Sequence, residues 1–207
     1  MKLKTAFSLG LIALSFFGCA QKKEISNQTA LFWHKNIQKD LSHLNIDKAD
    51  NDFTSLELEH PNSKFIPVDL LVLFNAHYKN EEYELAKFYL NEYKKRYANK
   101  YEKEWCDYMN IKIDFFSITN PYTNQKKVDD LLIKTKNIIK KYPNSVYNYE
   151  LNTIKTKLTI TQKLFKNQIA NLYKKLDKPN ATNLYKTDID KNVIPPHIPW
   201  YKQLFYW

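Results

Sequence analysis

Apolar side chains recur at three- and four-residue intervals along most of the chain, the spacing of amphipathic α-helices. Strand-like alternation of apolar and polar residues is not sustained anywhere. One or two long helices are expected over residues 146–175. The pattern therefore predicts an all-α fold. The residues that set it in the first four segments are Leu31, Trp33, Ile37, Leu41 and Leu44; Leu70, Leu71, Phe74 and Tyr78; Ala86, Phe88, Tyr89, Leu90 and Tyr93; and Trp105, Tyr108, Met109, Ile113 and Phe116.

The polar breaks between these segments repeat. "HPNS" (60–63), "YANK" (97–100) and "YPNS" (142–145) each close a charged helix, with Asn and Ser available to cap the next one. Ala49, Phe53 and Pro61 reproduce the Ala-x3-Phe…Pro spacing of a tetratricopeptide repeat, in which a small residue lets paired helices approach closely. We therefore predict a tetratricopeptide-like superhelix of about four helix pairs, with a polar insertion at 117–125.

The predicted repeat domain covers residues 30–190. A turn at 176–180 and a short helix over 181–186 follow the last long segment. Residues 191–207, "KNVIPPHIPWYKQLFYW", are predicted to form an extended, proline-rich and aromatic C-terminal tail. Its aromatic side chains are too apolar to remain in solvent and are expected to dock on this protein or on a partner. They are Trp200, Tyr201, Phe205 and Trp207.

Glycine is confined to two positions, Gly10 and Gly18. Phosphate-cradling loops, dinucleotide fingerprints and nucleophile elbows all need glycine for a positive φ or a close backbone approach. The repeat domain therefore lacks these signatures of nucleotide-binding proteins and hydrolases.

The N-terminal segment has the order of a secretory signal. Two lysines within the first four residues precede a dozen mostly apolar residues, and Gly18 then stands before Cys19. A cysteine directly after such a run is typical of bacterial lipoproteins, in which the thiol is acylated and becomes the new N-terminus. We predict a signal peptide over 1–18, lipid attachment at Cys19 and a tether over 19–29. The alternative is a buried N-terminal helix in which Cys19 is an ordinary small hydrophobe.

Charge adds a second indication of a membrane environment. Without residues 1–18 the 32 basic residues fall to 30 against 22 acidic ones, a net charge of +8. The basic residues are almost all lysines in a broad bias, and an exported protein rarely meets nucleic acid, so no nucleic-acid partner is expected. Anionic lipid heads or acidic proteins fit better. With Cys19 acylated, Cys106 has no disulfide partner and is expected to be a buried thiol.

No catalytic or metal-binding set emerges. The five histidines lack the spacing of zinc ligands, and each pair of neighbouring carboxylates lies among lysines. We expect neither an enzyme nor a cofactor. A superhelix of paired helices instead predicts a binding groove lined by the first helix of each pair. Its candidate residues in the second pair are Asn75, Tyr78 and Lys79, although Tyr78 could equally pack between helices.

Several motifs resemble the BamD family, the lipoprotein subunit of the bacterial outer-membrane β-barrel assembly machine. The similar segments are "AHYKNEEYELAKFYL" (76–90), "YMNIK" (108–112), "IIKKYPNSVY" (138–147) and "KNQIANLYKKLDKPNATNLY" (166–185). Tyr108 and Met109 match the family, whereas Asn110 and Ile111 depart from it. We add Tyr108 to the candidate groove residues.

The resemblance implies an outer-membrane protein that faces the periplasm, anchored by the lipid on Cys19. It implies binding to the barrel-forming BamA subunit through the C-terminal half and association with other subunits of the machine. It also implies that the N-terminal repeats receive nascent barrel proteins by binding the aromatic signal at the C-terminus of those proteins. The chain has no room for a complete fifth repeat. Two alternatives remain open: another envelope adaptor lipoprotein, linked to peptidoglycan or secretion, and a helical envelope enzyme.

Overall fold

The computed structural model describes residues 27–118 and 124–186, which form eight α-helices and no strand. The predicted all-α fold is confirmed. The signal segment 1–18, Cys19, most of the insertion at 117–125 and the tail at 191–207 lie outside the described residues. The helices are α1 (Ala30–Ser42), α2 (Ile46–Glu59), α3 (Ile66–Lys79), α4 (Tyr83–Arg96), α5 (Lys100–Phe116), α6 (Gln125–Lys141), α7 (Asn148–Lys175) and α8 (Pro179–Tyr185).

Each helix packs against the next one along the chain, and the helices form four pairs, α1–α2, α3–α4, α5–α6 and α7–α8. The most extensive contacts join α1 to α2, α3 to α4, α6 to α7 and α7 to α8. Contacts also join α1 to α3 and α5 to α7, the first helices of neighbouring pairs. This is the arrangement of stacked helical repeats, in which each unit contacts its neighbours. The predicted repeat architecture is confirmed. None of the described helices is both long and apolar enough to cross a bilayer.

The small and aromatic positions of the repeat pattern are buried where the helices meet. Ala49 and Phe53 of α2, and Ala86 and Leu90 of α4, are at most 3% exposed. Alanine brings the two helix backbones close together, and the larger residue four positions later fills the space toward the neighbouring helix. Ala98 after α4 is buried as well.

The polar breaks close helices as predicted but cap them unequally. Asn99 and Glu102 form a reciprocal capping box at the start of α5. Before α3 and α7 the serines act earlier: the Oγ atoms of Ser63 and Ser145 accept hydrogen bonds from the backbone N–H groups of Phe65 and Tyr147. Neither α3 nor α7 has a side-chain N-cap. Here the proline-containing turn, rather than a cap, starts the helix.

The buried side chains form two clusters that share α5. The first runs from Trp33 to Ile113 and the second from Tyr108 to Phe165. Trp105 and Met109 of α5 pack against both clusters. This helix therefore belongs to both halves of the structure.

The turns inside three of the helix pairs adopt a left-handed conformation without glycine. Leu44, Glu81 and Asp177 follow the last residues of α1, α3 and α7 with φ values of 60°, 62° and 54°. In each turn the next backbone N–H bonds the carbonyl five residues earlier, as Glu82 does with His77 at 2.9 Å. This is the Schellman ending, which most proteins make with glycine because a side chain there strains the backbone.

Candidate partner-binding groove

A groove of about 360 Å³ lies between the α1–α2 turn and α3. We call it the α1–α3 groove. Its lining is largely apolar, and two of the predicted groove residues, Asn75 and Lys79, contribute an amide and an ammonium group. These two residues stand one helical turn apart on an exposed face of α3. The lining consists of Leu41, Leu44, Ile46, Val72, Asn75, Ala76, Lys79 and Asn80.

Leu44 is an unusual wall residue. Its side chain is 85% exposed although leucine is normally buried, and its backbone is in the left-handed region. Both features are unfavourable in the isolated protein, since the left-handed conformation costs about 1–2 kcal/mol for a residue with a side chain. An exposed leucine beside an apolar groove is suited to cover a bound apolar side chain.

Tyr78 lies on a different side of α3 from Asn75 and Lys79. Its half-buried ring contacts Phe74, Tyr83 and Phe116, with ring centroids 6.0, 6.2 and 6.5 Å apart. Burial raises the pKa of the Tyr78 phenol. The structure thus places Tyr78 between α3, α4 and α5, as the packing alternative predicts, and separates it from the α1–α3 groove.

Tyr108 is buried at the junction of the third and fourth helix pairs. Its ring stacks on Tyr147 at 4.5 Å, and its hydroxyl donates to the Glu150 carboxylate. Lys112 binds both groups, at 3.2 Å to the Tyr108 hydroxyl and 2.9 Å to Glu150. The Tyr108 and Lys112 hydrogen bonds lower the pKa of Glu150. Tyr108 therefore joins α5 to α7, at a distance from Asn75 and Lys79.

The sequence pattern did not predict a buried histidine network that the structure shows. His77, with no exposed surface, places Nδ1 2.5 Å from Glu82 and Nε2 3.0 Å from Asp50. Tyr89 stacks on the ring and donates its hydroxyl to Asp50 at 2.7 Å. Burial by itself lowers the pKa of His77, but the two carboxylates outweigh it and hold that pKa above its ordinary value. The network ties α2, α3 and α4 together.

A partly exposed histidine and a buried aspartate form a second pair, which joins α1 to α3. Asp69 has no exposed surface and accepts a hydrogen bond from His34 at 2.7 Å, while the His34 ring stacks on Phe65 at 4.4 Å. Burial raises the pKa of Asp69 despite this partner. Both histidines fall on core-facing positions of apolar helices, and that register is the signal that could have revealed them.

The predicted buried thiol is confirmed. Cys106 is free and has no exposed surface, and burial raises its pKa to about 11. A thiol in this state is a poor nucleophile. Among the residues that the structure describes, no cluster of three or more His, Cys, Asp or Glu side chains is placed to hold a metal ion. The α1–α3 groove can bind a partner through apolar contact, an amide and a positive charge.

The fold and the groove define a helical-repeat binding protein. Residues 26–182 match the family YfiO, described as outer membrane lipoprotein. The chain is also 33% identical over 199 residues to the outer membrane protein assembly factor BamD of Helicobacter pylori, covering 92% of this chain and 90% of that protein. The chain therefore belongs to the YfiO family of outer membrane lipoproteins, which includes BamD. The predicted kinship is confirmed, and the family supports the expected outer-membrane location.

Proposed function

We propose that the protein is a lipid-anchored subunit of the β-barrel assembly machine, on the periplasmic face of the outer membrane. The observation that carries the proposal is the extent of the kinship: the family match runs from before α1 into α8, and the relative named as an assembly factor aligns along 92% of the chain. Its acyl chains are carried by Cys19. The protein binds and positions partners and catalyses no reaction.

Two kinds of partner are assigned to two parts of the repeat array. A BamA-type barrel subunit binds the C-terminal half, and other subunits associate with the same assembly. Nascent outer-membrane proteins enter the N-terminal repeats at the α1–α3 groove. Leu44 and the apolar wall cover an aromatic side chain at the end of the client chain, and Lys79 binds its terminal carboxylate while Asn75 donates to a nearby carbonyl.

Affinity capture tests membership of the assembly machine. Tagged protein is recovered from detergent-solubilised envelopes under mild conditions, and a BamA-type barrel subunit is expected to co-purify. If peptidoglycan-linked or secretion proteins are captured instead, the protein is an adaptor of another envelope system. Recovery without any barrel subunit would contradict the assembly proposal.

Peptide binding tests the groove separately. A peptide that ends in phenylalanine with a free carboxylate is expected to bind about tenfold more weakly to Lys79→Glu than to the wild type, since one charge-assisted contact of about 1.4 kcal/mol is lost. Lys126→Glu makes the same charge change at an exposed position of α6 and serves as the matched control. The amidated peptide should bind both variants equally. Equal loss in the two variants would show general electrostatic attraction and refute the groove assignment.

A further inference from the structure

The point at which the chain enters the domain and the three connections between helix pairs all lie at one edge of the repeat array. We call it the basal edge and define it by residues 27–30, 58–65, 95–103 and 140–149. In an array of antiparallel helices, the first helix of each pair starts at the edge where the second helix of the preceding pair ends. The opposite, apical edge carries the turns at 43–45, 80–82 and 176–178.

Side-chain contacts hold the entry of the chain against the end of α2. The backbone N–H groups of Asn27 and Gln28 donate to the Glu59 carboxylate at 2.9 and 3.0 Å, and the Trp33 indole N–H donates to it at 2.7 Å. His60 Nε2 lies 2.6 Å from the Gln28 carbonyl. The chain therefore enters the domain at a fixed point of the basal edge.

Ion pairs connect the three connections to one another. Arg96 at the end of α4 pairs with Glu57 at the end of α2. Asp107 of α5 pairs with Lys94 of α4 and, at 2.9 Å, with Lys141 of α6. The three connections are thus neighbours along a single edge of the protein.

The basal edge presents large apolar and aromatic side chains to solvent. Leu58, Tyr101, Val146 and Tyr149 are 79%, 81%, 82% and 87% exposed, and every connection contributes at least one of them. Side chains of this kind at turns add nothing to the core. Tyrosine combines an apolar ring with a polar hydroxyl, which suits the boundary between lipid and water.

Lysines flank these side chains, and their positive charges are available to bind anions. Lys95, Lys100, Lys103 and Lys140 are exposed, and among the described residues no carboxylate lies within ion-pair distance of any of them. Lysines so placed can reach anionic headgroups while their alkyl stems cover apolar surface.

Most carboxylates within this edge or next to it are already engaged inside the protein. Glu57 pairs with Arg96, Glu59 accepts from the chain entry, and Glu102 accepts from the Asn99 backbone in the α5 cap. Glu150 is occupied by Lys112. Glu104 adds one partly exposed negative charge. The unpaired charge of the basal edge is therefore predominantly positive.

The length of the tether brings this edge to the membrane. Asn27 lies eight positions after Cys19, so a fully extended tether spans at most about 28 Å. Because the chain enters at the basal edge, that edge is the nearest part of the domain to an acyl chain on Cys19. The apical edge lies a helix length further away, roughly 20 Å for a 13- or 14-residue helix.

We infer that the basal edge binds the anionic phospholipid surface in which the N-terminal lipid is embedded. This inference rests on the proposed lipid anchor. Tyr101, Val146 and Tyr149 insert at headgroup depth, and Lys95, Lys100, Lys103 and Lys140 contact the phosphates. Attraction of about 1 kcal/mol per lysine adds to the acyl anchor and fixes the orientation of the domain. The α1–α3 groove, near the apical turn of the first pair, then faces away from the membrane.

Vesicle binding by the unacylated protein tests the surface alone. Residues 19–207 carrying Cys19→Ala are mixed with sedimenting vesicles of phosphatidylethanolamine and phosphatidylglycerol, or of neutral phosphatidylcholine. Binding is expected on the anionic vesicles only. Lys100→Gln with Lys103→Gln should weaken it by at least about tenfold, whereas Lys126→Gln with Lys178→Gln, on or near the apical edge, should change it less than about threefold.

Equal losses in the two double variants, or no binding of the parent protein, would overturn the inference. Neither result bears on capture of the barrel subunit, so the two proposals fail separately. Circular dichroism of each variant checks that the helices are intact.

A position-specific probe gives a second, independent readout. An environment-sensitive fluorophore is attached to a cysteine at Tyr101 or Tyr149, or at the similarly exposed Leu44 on the apical edge; buried Cys106 stays unlabelled. Anionic vesicles should shift emission to the blue at the first two positions only. A shift of the same size at Leu44, or none at Tyr101 and Tyr149, would contradict the assigned orientation.

Discussion

Replacement of Glu81 by glycine is expected to make this protein more stable. Glu81 is exposed and follows the end of α3 with a φ of 62°. The Glu81 backbone N–H donates to the Tyr78 carbonyl at 3.3 Å, and glycine keeps this hydrogen bond. Glycine removes a left-handed strain of about 1–2 kcal/mol but increases the entropy of the unfolded chain by about 0.4–1 kcal/mol. The expected net gain is about 0.5–1 kcal/mol.

The gain should appear in urea unfolding as a higher midpoint with an unchanged slope. In thermal unfolding it corresponds to about 1–4 °C for a chain of this size. Glu81→Ala is the first control, because alanine keeps the Cβ atom and should leave stability within about 0.5 kcal/mol. Glu84→Gly, in the first turn of α4, is the second and should destabilise the protein by up to about 1 kcal/mol.

Substitution by glycine should raise the free energy of unfolding less where the original residue adopts the left-handed conformation more readily. Asp177→Gly should gain less than Glu81→Gly, because aspartate adopts this conformation more readily. A loss of stability in Glu81→Gly, or an equal gain in Glu81→Ala, would show that backbone strain is not the cause.

Three further outcomes are expected. The pKa of His77 is raised in the folded protein, so protonation of His77 stabilises the fold. This contribution to the free energy of unfolding is complete below about pH 6.5 and declines as the pH rises through the pKa of the folded state. His77→Gln should remove this decline from the pH dependence of the free energy of unfolding. Asp107→Ala should cost about 2–3 kcal/mol in urea unfolding, because the carboxylate accepts from Lys94, Lys141 and Tyr142; a cost below 0.5 kcal/mol would contradict this. Cys19→Ala should abolish incorporation of labelled fatty acid and allow high salt to remove the protein from membranes, because only the basal-edge lysines then hold it there; retention of the variant in high salt, with no label in the wild type, would refute the anchor.

The helical repeats could be predicted because their signals are local. The spacing of Ala49 and Phe53, and the breaks at 60–63, 97–100 and 142–145, report directly on helix pairing. The family was also accessible, since its motifs lie in order along the chain. The capping box at Asn99 is equally local, whereas the uncapped starts of α3 and α7 depend on the folded turn.

The candidate site was less predictable because its contacts join distant residues. Asn75 and Lys79 share a groove with Leu44, more than 30 positions earlier, which no periodicity could show. Repeat position and motif predict Tyr78 and Tyr108 beside these residues, but the direction of their side chains takes them into other contacts. The Asp50 partner of His77 is similarly remote in sequence. To predict these contacts, one must know how three helices are rotated about their axes relative to one another.

The position of α5 in both hydrophobic clusters sets an order of folding. Cys106 and Ile113 complete the first cluster, so a chain that emerges N-terminus first during synthesis leaves that cluster open until α5 arrives. The same helix then presents Tyr108 and Ile111 as a template for α6 and α7. Until α5 emerges, the first four helices expose an apolar surface to chaperones and proteases. The N-terminal helices therefore remain open to proteolysis until residue 113 has emerged.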